Sequence, residues 1–181
     1  MQALRTSFLL LFLSGCTTQN LATTNDVPTS TDTDAGMGAT DTPLVCTSNQ
    51  SWTHGNSGSS SMHPGRACIS CHDTSRDAPS FQIAGTVYPT AHEPDDCNGV
   101  SSTSGAQVVI TDANGVVLTL KPNSVGNFYD PGRPTIALPY HAKVLRNGVE
   151  RAMTDAQTSG DCNSCHTVDG ANGAPGRIML P

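Results

Sequence analysis

Two pentapeptides of the form Cys-x-x-Cys-His constrain this sequence more than any other feature: Cys68-Ile69-Ser70-Cys71-His72 and Cys162-Asn163-Ser164-Cys165-His166. Two thiols three residues apart, followed at once by an imidazole, are what a c-type haem requires. The thiols add across its vinyl groups, and the imidazole reaches iron from the same short turn. The chain has little material for another kind of core. Hydrophobic residues make up 36% and aromatic residues 4% of 181 positions, against 17 glycines and 12 prolines. Apolar burial alone is thin for that length. Two haems c would add apolar mass, with Cys68, Cys71, Cys162 and Cys165 as covalent attachment points and His72 and His166 as proximal iron ligands.

Three other uses of the same residues compete with this one. A zinc ribbon pairs its Cys-x-x-Cys units about 15–20 residues apart, whereas 90 residues lie between Cys71 and Cys162. A thioredoxin-like redox pair wants a βαβ setting, which neither motif has. Plain structural disulfides are the third use. Counting cysteines favours haem: of seven, four go to haem and one, Cys16, to lipid, which leaves Cys46 and Cys97. In an oxidising compartment that pair is expected to form a disulfide.

The amino terminus carries Arg5, then the apolar run Phe8-Leu9-Leu10-Leu11-Phe12-Leu13, then Ser14-Gly15-Cys16. This reads as an export signal over residues 1–15, too short to span a bilayer. Leu13-Ser14-Gly15-Cys16 resembles the lipobox of bacterial lipoproteins. The resemblance implies that Cys16 is acylated and anchors the chain to a membrane, and Thr17 in place of Asp implies the outer membrane, facing periplasm or cell surface. Residues 16–45 are rich in Thr, Asp, Gly and Pro, with neither Lys nor Arg beyond Cys16. They are expected to form a disordered tether reaching roughly 30 Å.

Iron held by one histidine has a sixth position to fill. His54, His63, His92 and His141 remain, with Met62, Met153 and Met179. His63 precedes Pro64-Gly65, a rigid turn that would aim its ring at a haem. His92 lies in the loop ending at Cys97, where Glu93 or Asp95 would orient it. These two histidines are the expected distal ligands. His141 sits in an apparent strand and His54 in a Gly/Ser-rich stretch, so both are weaker candidates.

Between the motifs the pattern becomes short β-like runs: Phe81 to Tyr88, Ala106 to Thr111, Gly115 to Leu120, Asn127 to Tyr129, Ile136 to Leu138 and Tyr140 to Arg146. Turns are expected at Asp112-Ala113-Asn114-Gly115 and at Asn147-Gly148. No helix-period stretch of useful length appears, which argues against an all-helical cytochrome. The series Ile83-Ala84-Gly85-Thr86-Val87, Gly105-Ala106-Gln107-Val108-Val109-Ile110 and Asn123-Ser124-Val125-Gly126-Asn127-Phe128-Tyr129 resembles the carboxypeptidase-regulatory, transthyretin-like domain family over some seventy residues. That resemblance implies an antiparallel β-sandwich acting as a scaffold. The loop from His92 to Gly105, which carries Cys97, departs from the family pattern. The whole is similar to small exported bacterial dihaem cytochromes with such an insert.

The expected architecture is therefore mainly β. It places a first haem segment at residues 46–80, the transthyretin-like sandwich at 81–153 and a second haem segment at 154–181. The expected role is electron transfer, not catalysis. A dihaem peroxidase, or a binding module with structural haem, is the alternative. The formal charge of −6 disfavours nucleic acid and favours redox partner proteins with basic docking faces, in contacts that salt weakens.

Overall fold

The computed structural model describes residues 45–130, 132 and 135–181. The expected export signal, the acylated Cys16 and the tether up to residue 44 lie outside the described residues. The described part is mainly β, with two sheets and almost no helix. No helix among the described residues is long and apolar enough to cross a membrane.

Strand β1 (Ile83–Tyr88) is buried along its whole length. A strand whose six residues are all covered must be flanked on both faces, and continuous burial replaces alternation. β1 pairs antiparallel with β4 (Asn127–Asp130), from Ile83 opposite Asp130 to Thr86 opposite Asn127. On its other edge it pairs parallel with the two-residue β7 (Ile178–Met179). The second sheet runs β3-β2-β5-β6, all antiparallel: β3 is Val117–Leu120, β2 Gln107–Thr111, β5 His141–Arg146 and β6 Val149–Ala152. In β2 the period of two is clean, Val108 and Ile110 being buried between half-buried neighbours. Ile83, Val87 and Phe128 of the first sheet join Val108, Ile110 and Val144 of the second in one hydrophobic cluster, completed by Val100, Ala106 and Tyr140.

The β5–β6 hairpin turns at Asn147-Gly148, with φ of 51° and 80°. Positive φ at both central residues gives the turn whose twist matches its strands. The Asp112 turn is built by its carboxylate. Oδ1 accepts the N–H groups of Asn114 and Val116, and Oδ2 accepts that of Ala137. That last bond, with Ala113 N–H donating to Ala137 O, takes up backbone groups of the stretch expected to be a strand at Ile136–Leu138. Side-chain partners replace a ladder there, and no strand forms. β6 and β7 were not expected: β6 is exposed throughout, and β7 is too short to show a period.

Burial raises the Asp112 carboxyl, but the backbone hydrogen bonds outweigh it and hold the group below its ordinary value of 3.8. Stability from this turn is therefore present above the unfolded pKa and is lost as pH falls through the lower folded one. Asp112→Ala should lower the urea midpoint at pH 7, and the gap from the parent should narrow as pH drops below about 4. An equal gap at both pH values would refute this account.

Candidate functional site

Both pentapeptides wind into a single helical turn. Cys68–His72 is a five-residue α-helix, α1. Cys162–Ser164 is a 3-10 turn that His166 closes by donating its N–H to Cys162 O at 2.9 Å. Positions i, i+3 and i+4 then share a face, which gathers the two thiols and the imidazole of each motif.

Each turn opens onto its own cavity. Cys68, Cys71 and His72 line the first, of about 740 Å³, with Met62, Phe81 and Tyr129 among its other walls. Cys162, Cys165 and His166 line the second, of about 410 Å³, with Met153, Met179 and Ile178 among its walls. Phe128 belongs to both linings. Volumes of this size are those of ordinary cofactor pockets.

The two histidines are held alike. His72 Nδ1 lies 2.8 Å from Pro79 O, and His166 Nδ1 lies 2.8 Å from Gly176 O. A carbonyl accepts only, so the proton sits on Nδ1 and the Nε2 lone pair is left for a metal. The His72 ring also packs on Phe81, centroids 4.7 Å apart, and Phe81 packs on Tyr129 at 4.8 Å. Two thiols, one oriented imidazole and a pocket on each turn are what a c-type haem asks of a chain, so these residues fit that group.

The acidity of Cys68 and Cys162, the first thiol of each motif, runs the other way from a redox pair. Burial, then Asp161 and Cys71, pushes the Cys68 thiol up to about 12. Burial also pushes Cys162 up to about 12; Tyr140 opposes the rise, while Asp161 and Cys68 add to it. Thioredoxin-like sites need a lowered thiol pKa. Among the described residues no three or more His, Cys, Asp or Glu side chains gather into a cage for a bare metal ion.

Although 90 residues separate them in sequence, the two motifs meet over β1. Ser70 N–H donates to Asp161 Oδ2 at 2.9 Å. Asn163 Nδ2 donates to Arg66 O at 2.9 Å and to Thr86 Oγ1 at 3.1 Å, and approaches Cys68 Sγ at 4.0 Å. Thr86 N–H donates to Asn163 Oδ1, while Thr86 Oγ1 accepts from Gly65 N–H and donates to Asn127 Oδ1. The second carboxylate oxygen of Asp161 is buried with no partner among the described residues. Gly85 leaves room for this approach: a Cβ there would stand 2.7 Å from Phe128 Cζ and 3.0 Å from Cys162 Cβ.

Arg177 ties the surrounding loops together, its side chain fully buried. Nε donates to Glu93 O, Nη1 to Gly65 O and His166 O, and Nη2 to Asp95 Oδ1 at 2.6 Å. Its guanidinium carbon lies 5.2 Å from the centre of the Tyr88 ring. Cys46 and Cys97 form the expected disulfide, which fixes the loop carrying Asp95 and Asp96 against residues 46–52.

The expected distal histidines are placed elsewhere. His63 Nδ1 pairs with Asp96 Oδ1 at 2.8 Å and Nε2 with Asn56 Oδ1 at 3.0 Å, so both ring nitrogens are engaged. The Pro64-Gly65 turn forms, but it aims the ring at these acceptors. His92 is exposed, with Nδ1 2.6 Å from Val168 O. Among the described residues neither lines either of these two cavities, nor do His54 and His141. Glu93 holds Thr47 N–H and the Thr90 hydroxyl, and Asp95 holds Arg177, in place of orienting His92. The sequence reading missed Asp161, Asn163 and Arg177. The one available signal was an Arg set among Ile178, Met179 and Leu180 near the chain end.

Comparison of the chain with protein-family models, with curated proteins and with solved structures gave no match.

Proposed function

We propose that this chain is an exported electron carrier with two covalently attached haems c, one on Cys68, Cys71 and His72 and the other on Cys162, Cys165 and His166. The observation that carries the reading is the meeting of two Cys-x-x-Cys-His turns over one strand, each turn facing its own cavity. Haem, when bound, supplies a one-electron iron couple. The chain's own part is to attach, orient and shield. His72 and His166 keep their Nδ1 protons on carbonyls, and Phe81, Tyr129 and Phe128 wall the pockets with apolar surface. The Ser70–Asp161 and Asn163–Arg66 bonds fix the spacing of the two attachment turns.

In this reading residues 81–153 are a carboxypeptidase-regulatory, transthyretin-like β-sandwich. Two sheets that share one hydrophobic cluster support it. Acylated Cys16 holds the protein to the outer membrane, and the net charge of −6 suits partners with basic faces.

Matured with a cytochrome c assembly system, the protein should gain the mass of two haems and show low-spin reduced-minus-oxidised spectra. The double substitution C68A/C71A should remove the mass of one haem and leave the other. A parent protein without covalent haem would overturn the proposal, and a high-spin iron that consumes peroxide would move it to a peroxidase.

A further inference from the structure

The first cavity, between the segment ending at Met62 and the turn that begins at Cys68, contains one methionine, and no histidine but His72. Side chains that complete haem coordination are His, Met, Cys or Tyr. Of these, Tyr129 packs on Phe81, which itself packs on His72. It therefore belongs to the same aromatic stack as the proximal imidazole. Cys68 and Cys71 are the attachment thiols. Met62 is the remaining donor.

We infer that the Met62 thioether is the distal iron ligand in the first cavity, and that His63 beside it is engaged by Asp96 and Asn56 and is not an iron ligand. The inference rests on the haem reading above. The backbone beside Met62 is pinned from two sides. Asn127 Nδ2 donates to Met62 O at 2.9 Å, and Asn123 Nδ2 donates to Ser60 O at 2.6 Å, which ties this segment to the turn before β4 and to β4 itself. His63, at a φ of 43°, spans Asn56 and Asp96 with its two ring nitrogens. A flexible methionine loses entropy when it binds iron, and a backbone already fixed at residues 60–63 reduces what must be ordered. The neighbouring imidazole, with both nitrogens on oxygen acceptors, is committed to holding the loop. A thioether ligand raises the potential of haem iron relative to a second imidazole.

The test uses the full-length matured protein and the variants Met62→Ala, Met62→His and His63→Gln. In Met62→Ala both haems stay attached by mass, while one ferric iron loses its sulfur-to-iron charge-transfer band and turns high-spin. Met62→His keeps that iron low-spin, with a bis-histidine electron paramagnetic resonance signature and a lower midpoint potential. His63→Gln leaves both irons low-spin and the band in place. An unchanged spectrum in Met62→His, or a high-spin iron in His63→Gln, would overturn the assignment. A parent protein without two haems would instead overturn the underlying function, so the two failures are separable.

Discussion

The double variant C46S/C97S should unfold with about 4 kcal/mol less free energy than the parent, since its cross-link closes a span of 51 residues and constraint of the unfolded chain scales with the logarithm of that span. In a chain with so few large apolar side chains this is a large share of the total. The loss should also be spatially specific. The bridge sits where Trp52 N–H donates to Asp96 O, Asn98 N–H donates to Gln50 O and Ser51 pairs with Cys97. The loop it holds supplies Asp96 to His63 and Asp95 to Arg177. Denaturant melts with and without reductant give the check. Reductant should bring the parent to the level of the variant and leave the variant unmoved. A difference below 1 kcal/mol would show that the bridge does not hold the fold.

Arg177→Met should cost about 3–5 kcal/mol, because it leaves several buried carbonyls without their donor. Methionine roughly fills the volume but donates nothing. The carbonyls of Gly65, Glu93 and His166 would lose the guanidinium, and an unsatisfied buried acceptor costs about 1–3 kcal/mol. Asp95 is half-exposed and can turn to water, so it adds little. Arg177→Lys keeps the charge without the planar fork and should fall between parent and Met variant. Equilibrium unfolding of all three proteins reads the series. A Lys variant as stable as the parent would mean that charge, not the fork, is what the loops need.

The legible part of this protein was its local chemistry. β1, β2, β3 and β5 lie within the runs expected for them, and β4 exceeds its run only by Asp130, because branched residues between turn formers imprint a period on a few neighbouring positions. The Asn147-Gly148 hairpin and the Cys46–Cys97 bridge followed from turn chemistry and cysteine counting. What stayed hidden depends on partners distant in the chain. β7 exists because Ile178 and Met179 meet Val87 and Tyr88 across some ninety positions. Arg177 is buried because carbonyls from three separate loops converge on it, and a carbonyl carries no mark in a sequence. The partners of His63 stayed hidden for the same reason. Pro64-Gly65 announced a turn, but the turn's target was set by Asn56 and Asp96.

Thr86 and Asn163 exchange hydrogen bonds in the middle of β1, one belonging to the scaffold and the other to the second Cys-x-x-Cys-His turn, while Gly65, just before the first turn, leans on the same hydroxyl. The two turns are therefore mechanically coupled through one side chain. A change at Thr86 disturbs both at once, so compensation has to arise at Asn163 and around Gly65 together. The strand between the two turns is their shared constraint, so a substitution at Thr86 is felt at both.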